Sequence, residues 1–191
     1  DRVSFDLIYA RSHQTLPAWE AELKQALALG TDHLSLYQLT MEPGTAFYTA
    51  HKAGRLPIPE GDLAADFYHL TEGLTTQADL QTYEISNYAK PGQASRHNLT
   101  YWRSGDYIGV GPGAHGRYGV SNQRMAANNH RAPETWLKYV GEKGTGLKES
   151  SVLDKQTQLE EALMMGLRLT EGFDYTALLS KIGYENDPLE G

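Results

Sequence analysis

The sequence has no cysteine in its 191 residues. No disulfide can therefore staple it, and no thiolate is present to hold zinc or an iron–sulfur cluster. It also lacks a basic cluster: 17 Lys and Arg stand against 24 Asp and Glu, for a net charge of −7. A chain of that balance carries no electrostatic footprint for nucleic acid. No apolar run approaches the roughly 18 residues that a membrane-spanning helix needs. Internal repeats and low-complexity segments are missing too. What remains is ordinary for a folded globular protein, with 40% hydrophobic and 21% charged residues. That is enough for one sizeable core, or one core with an appendage.

The chain opens on a strand–helix–strand pattern. Positions 3–9 are rich in apolar and β-branched residues, as expected for a parallel strand covered on both faces. Asp6 lies inside this run, where an acid needs a partner. It either caps a neighbouring loop or contacts a ligand near the strand's C-terminal end, where parallel α/β sheets bind ligands. Positions 14–29 read as an amphipathic helix: Thr15 can cap it, Pro17 suits its first turn, Leu23, Ala26 and Leu27 share a face, and Gly30 ends it. Positions 33–40 read as a second strand, parallel to the first. Further helices are expected at 46–54 and at 62–78, the latter with Leu63, Phe67, Leu70 and Leu74 on one face.

Positions 82–119 combine Tyr83, Tyr88, Tyr101, Trp102, Tyr107 and Tyr118 with His97, His115 and a run of glycines. The spacing predicts a strand at 83–88 and turns at Lys90-Pro91-Gly92 and Ser104-Gly105-Asp106, so this stretch is expected to be antiparallel. Glycine lets backbone approach a ligand closely, and its density beside aromatics points to a large flat ligand or a nucleotide-like one. A polar strand and turn is expected at 120–129. Beyond Pro133 the pattern turns helical, at 134–140, 154–169 and 175–182, with Leu159, Leu163, Met164 and Leu167 as the apolar face of the long helix. Two parts are expected: 1–131, an α/β part with an antiparallel extension, and 132–191, a helical module. The abrupt start on a strand, and an end just past a helix, read as a piece of a longer protein.

Several of these segments together resemble one family. D-L-I-Y and Q-T in 6–15, L-S-L-Y-Q-L-T and E-P-G-T in 34–45, Y-E-I-S-N-Y-A at 83–89, S-R-H-N-L and Y-W in 95–102, G-V-G-P-G-A-H-G at 109–116 and L-R-L with E-G-F in 167–173 are similar, in order, to the oxygen-independent coproporphyrinogen III oxidase-like radical SAM proteins. The resemblance implies an α/β fold: the C-terminal part of a partial (β/α) barrel, an antiparallel extension and a helical C-terminal module. It implies S-adenosylmethionine (SAM) and a [4Fe–4S] cluster in the full-length protein, with the C-x-x-x-C-x-x-C cluster motif outside this sequence. Two groups of the family are relevant. One decarboxylates the propionates of coproporphyrinogen III; the other comprises haem chaperones, which hold haem and deliver it to acceptor proteins. His97, Asn98, Tyr101 and Trp102 resemble the chaperone group. An inert module without a cluster is the remaining reading for the isolated chain. A cytoplasmic location is expected.

Residue by residue, the resemblance implies a SAM pocket touched by Asp6, Thr40, Ala114 and His115. The plain alternative for Thr40 is a local strand-end hydrogen bond. His97 is the candidate haem iron ligand, because neutral imidazole ligates haem iron well. Asn98 would orient it, and Tyr101 and Trp102 would stack on the porphyrin; the plain alternative is a histidine packed in a sheet. The family places glycine or proline-glycine between the first strand and Q-T, whereas this chain has Ala10, Arg11, Ser12 and His13, which puts that loop's contact with SAM in question. Glu84 is expected to pair with Arg96 or Arg103. Arg168 either reaches a propionate or lies on a helix surface. Glu160 and Glu161 read as acids favoured at a helix start.

Overall fold

A computed structural model describes residues 3–189. The chain divides into two units, one ending at Ser95 and the other beginning at Arg96.

In the first unit, strand β1 (Ser4–Tyr9), helix α1 (Leu16–Leu27) and strand β2 (His33–Gln38) form the expected βαβ unit. The two strands pair in parallel, from Ser4 with His33 to Tyr9 with Gln38. Helix α1 starts where expected because Thr15 accepts the Ala18 N–H at 3.3 Å and Pro17 fits the first turn. It stops before Gly30, which takes φ 71°. Helices α2 (Ala46–Lys52) and α3 (Gly61–Gln77) follow, then strands β3 (Gln81–Glu84) and β4 (Asn87–Ala89), in a sheet ordered β1-β2-β4-β3. Trp19 and Leu23 of α1, Leu34 and Leu36 of β2, Phe67 of α3, Leu80 and Tyr88 fill the core. The Trp19 indole N–H donates to the Thr71 hydroxyl at 2.8 Å. Tyr9 stacks on both Trp19 and Phe67.

Four expectations change here. Strand β1 is not covered on both faces: it forms a sheet edge with Val3, Phe5, Ile8 and Asp6 exposed. The strand expected at 83–88 is a hairpin instead. Glu84, fully buried, is the reason: its carboxylate accepts the Ser86 N–H at 2.9 Å and the Asn87 amide, which holds the turn closed. Those bonds replace the expected pair with Arg96 or Arg103, and Arg103 binds Glu171. On α3, Phe67 and Leu74 are buried but Leu63 is exposed.

The second unit begins with helix α4 (Arg96–Trp102), where antiparallel structure was expected. Strands β5 (His115–Val120) and β6 (Gln123–Asn129) form a hairpin. Ser121 and Asn122 make its two-residue turn, both with positive φ, as the twist of such tight hairpins demands. Helix α5 (Pro133–Lys143), strand β7 (Leu147–Val152) and helices α6 (Lys155–Gly166) and α7 (Tyr175–Ile182) complete it. Strand β7 pairs antiparallel with β6, Met125 facing Val152, so the stretch after 132 is not wholly helical. The division expected at 131/132 falls within this unit. Helix α6 turns Leu159, Ala162 and Gly166 inward and leaves Met164 and Leu167 exposed. Among the described residues, no helix is long and apolar enough to cross a membrane.

Candidate ligand-binding site

Helix α4 places His97 and Tyr101 one turn apart on one face. His97 Nε2 and Tyr101 Oη lie 2.6 Å apart, with the rings edge to face. Tyr101 also meets Tyr107 edge to face, at 4.5 Å between ring centres. His97 is exposed; Asn98, Tyr101 and Trp102 are half-buried. The Arg168 guanidinium sits 4.5 Å over the Trp102 ring, a cation–π contact rather than a free surface arginine. The Trp102 indole N–H is buried and has no hydrogen-bond partner.

Tyr101 and Trp102 form part of the wall of a cavity of about 700 Å³, within the range of small-molecule sites. Tyr107, Arg117, Glu161 and Lys181 add to that wall, but His97 does not. Arg117 and Glu161 form a two-pronged pair, Nε to Oε2 at 2.9 Å and Nη2 to Oε1 at 2.8 Å. These hydrogen bonds raise the Arg117 pKa further. Arg124 donates to Asp106 and to the Gly105 carbonyl. The Gly119 N–H first, and then Arg124, hold the Asp106 carboxyl below its usual range. Burial raises the Tyr107 phenol. Both cavity arginines are thus already compensated by carboxylates.

The glycine run is a self-satisfied loop. The Gly109 backbone lies so close to the His115 carbonyl that no Cβ fits there. The Asn129 side-chain amide donates to the carbonyls of Gly109 and Gly111. The Ala114 carbonyl accepts the Asn129 N–H at 2.9 Å, and His115 opens β5 with its side chain exposed. In the first unit, Asp6 lies on β1 and Thr40 two residues past β2, both exposed. In the loop at 10–13, Ala10 and His13 take φ 53° and 59°. The backbone therefore keeps the left-handed turns that glycine makes without strain. Arg11 braces the loop by binding the Ile8 carbonyl and Glu22.

Arg117, Glu161, Tyr107 and Lys181 line this cavity without having been expected in a site. Glu160 and Glu161, expected at a helix start, lie in the middle of α6, and nothing local tells which of the two turns inward. The nearest signal was the aromatic density around Tyr107.

No protein-family model matches the chain. Mouse mitochondrial radical S-adenosyl methionine domain-containing protein 1 is 42% identical over 175 residues, covering 90% of this chain and 40% of its own length. The heme chaperone HemW of Bacillus subtilis is 34% identical over 189 residues, covering 99% of this chain and 49% of its own. This chain belongs to the HemW-type radical SAM proteins. In fold, the HemW-type chain matches coproporphyrinogen III oxidase (HemN) of Escherichia coli, a radical SAM enzyme, with a TM-score of 0.69 over 94% of this chain and 43% of that one, at 19% identity. It spans less than half the length of these relatives. Radical SAM membership implies SAM and a [4Fe–4S] cluster in the full-length protein. The donor set here does not fit the cluster: there is no cysteine, and among the described residues no three His, Asp or Glu side chains gather to hold a metal ion.

Proposed function

We propose that the HemW-type protein binds haem and passes it to acceptor proteins, and that this chain carries part of the haem site on α4. The observation behind this reading is the set of α4 side chains: two aromatic residues in the wall of a 700 Å³ cavity, with a histidine bonded to one of them. It is supported by the 34% identity to a haem chaperone across nearly the whole chain. In this reading Tyr101 and Trp102 supply the porphyrin contact. His97 supplies the iron ligand through Nδ1, its Nε2–H donating to Tyr101 Oη, a bond that fixes ring orientation and tautomer. Asn98 is the polar neighbour on the same helix. Asp6, Thr40, Ala114 and His115 contact SAM in the full-length protein. The place of action is the cytoplasm.

Haem titration of the chain and of His97→Ala, followed at the Soret band, tests this. The reading expects the wild type to bind and the variant to bind at least several-fold more weakly. Equal binding removes His97 from the site, and no binding by either removes haem from this chain. The decarboxylase reading draws only on a likeness of fold to HemN, and it demands coproporphyrinogen turnover with loss of CO₂.

A further inference from the structure

A histidine and a tyrosine one turn apart often meet simply because a helix puts them on one face. What sets His97 and Tyr101 apart is where the two stand. The Tyr101 ring lines the cavity of about 700 Å³, whereas His97 lies outside that wall and is exposed. The 2.6 Å bond between Tyr101 Oη and His97 Nε2 lies in an exposed setting, so a ligand can reach both groups. Tyr107, from the same wall, packs edge to face on Tyr101 and holds its ring. The bond admits both senses. Nε2–H can donate to the phenol oxygen, which leaves the Nδ1 lone pair free. Alternatively the phenol donates to Nε2, which makes the imidazole a base for the phenol proton. Each sense prepares a different iron ligand: imidazole nitrogen in the first, phenolate oxygen in the second. Both histidine and tyrosine serve as axial ligands of haem iron.

We infer that haem exchanges ligands on this pair with the oxidation state of its iron: ferric haem in the cavity takes the Tyr101 phenolate, and ferrous haem takes His97 Nδ1. The inference rests on the haem reading above and adds how that site is regulated. The ferric centre carries a net positive charge, which an anionic oxygen stabilises more than a neutral nitrogen does; the ferrous centre is neutral and loses that attraction. On ferric ligation the phenol O–H bond breaks, its proton passes to Nε2, an Fe–O bond forms and the water that occupied the iron leaves. No electron moves in that step. On reduction one electron reaches the iron from a one-electron donor, a reduced flavin or iron–sulfur protein. The Fe–O bond then breaks, the phenolate takes a proton from water, Nδ1 gives one up to water, and an Fe–N bond forms. The iron thereby passes from the cavity wall to the exposed side of α4, where an acceptor protein can reach it.

The test titrates ferric and ferrous haem into the chain, into Tyr101→Phe and into His97→Ala. Binding is followed at the Soret band, and resonance Raman spectra are taken of each complex. The wild type with ferric haem is expected to show the vibrations of an iron-bound phenolate, and to lose them on reduction. Tyr101→Phe keeps the ring that Tyr107 packs on. It is expected to lack those vibrations, to bind ferric haem about tenfold more weakly and to bind ferrous haem as the wild type does. That unchanged ferrous binding also shows the variant's fold to be intact. His97→Ala should weaken ferrous haem about tenfold through loss of the ligand, and ferric haem several-fold through loss of the base. A phenolate signature that is absent from the ferric wild type, persists after reduction or survives in Tyr101→Phe overturns the exchange. Haem bound through His97 in both oxidation states also overturns it, and leaves the haem reading standing. Failure of haem to bind the wild type in either state sinks the haem reading, and this inference with it.

Discussion

The unit ending at Ser95 packs Trp19, Phe67, Tyr88, Leu23, Leu34, Leu36 and Leu80 out of solvent, all at 2% exposure or less; among the described residues of the unit beginning at Arg96, only Leu159 of the large apolar side chains is buried that deeply. Both units carry ion pairs, such as Arg11 with Glu22 in the first and Arg117 with Glu161 in the second, but in place of a dense core the second has a cavity of about 700 Å³ walled in part by Arg117 with Glu161 and Arg124 with Asp106. Close-packed aromatics leave no room for a guest, because interiors fill to the density of organic crystals. Two-pronged arginine–carboxylate pairs fix a wall without filling the space beside it. The contrast teaches which unit closes on itself by apolar packing and which leaves open space beside its charged walls.

The comparison can be pressed hardest at Trp19. Trp19→Ala removes the centre of the first core and leaves the Thr71 hydroxyl oxygen without its indole donor, so it should lower unfolding stability by about 3–5 kcal/mol. Urea or guanidinium midpoints measure this, and a loss near 1 kcal/mol would erase the contrast in packing. Next is Tyr9, in the same core. Burial, and then the nearby Tyr68 and Glu72, raise its phenol from 10.0 to about 12. A group whose folded value is raised contributes fully below its unfolded value, and that contribution drains away as pH climbs. Stability should therefore fall between pH 10 and 12, by roughly 2–3 kcal/mol from this group. Tyr9→Phe should flatten that fall, leaving the share of Tyr88, which burial also raises. An unchanged alkaline slope in the variant would remove Tyr9 from the account. The smallest effect belongs to the cavity unit. Glu161→Gln breaks the half-exposed pair with Arg117, and should reduce stability by only about 1 kcal/mol, read from the same denaturant curves. A loss as large as that of Trp19→Ala would mean that ion pairs, and not apolar packing, dominate both units.

Much of the first unit was legible in the residues. The Thr15 cap, the Pro17 position and the apolar faces around Leu23 and Phe67 are local signals, and the βαβ crossover forces β1 and β2 to be parallel. Glu84 was misread because a buried acid looks the same in sequence whether it pairs with arginine or closes a turn. Helix α4 was missed because R-H-N-L-T-Y-W has β-favouring aromatics and only seven residues, too few for a helical period to declare itself. Strand β7 was missed because Lys148, Glu149, Ser150 and Ser151 are all exposed, with no alternation between faces. Met164 and Leu167 were assigned to an apolar face that the structure leaves in solvent.

The sequence by itself determined the family, through motifs spread in order along the chain, and it determined that no thiolate cluster site lies within these 191 residues. It also determined most element types, since caps, breakers and hydrophobic periods act over a few residues. Tertiary structure decided the rest. The partnership of Arg117 with Glu161 spans 44 positions, and Lys181 comes to line the cavity wall along with Trp102 only when α7 and α4 both pack on α6. Cavities and the charges left over in them depend on which distant side chains meet, and no local pattern records such meetings.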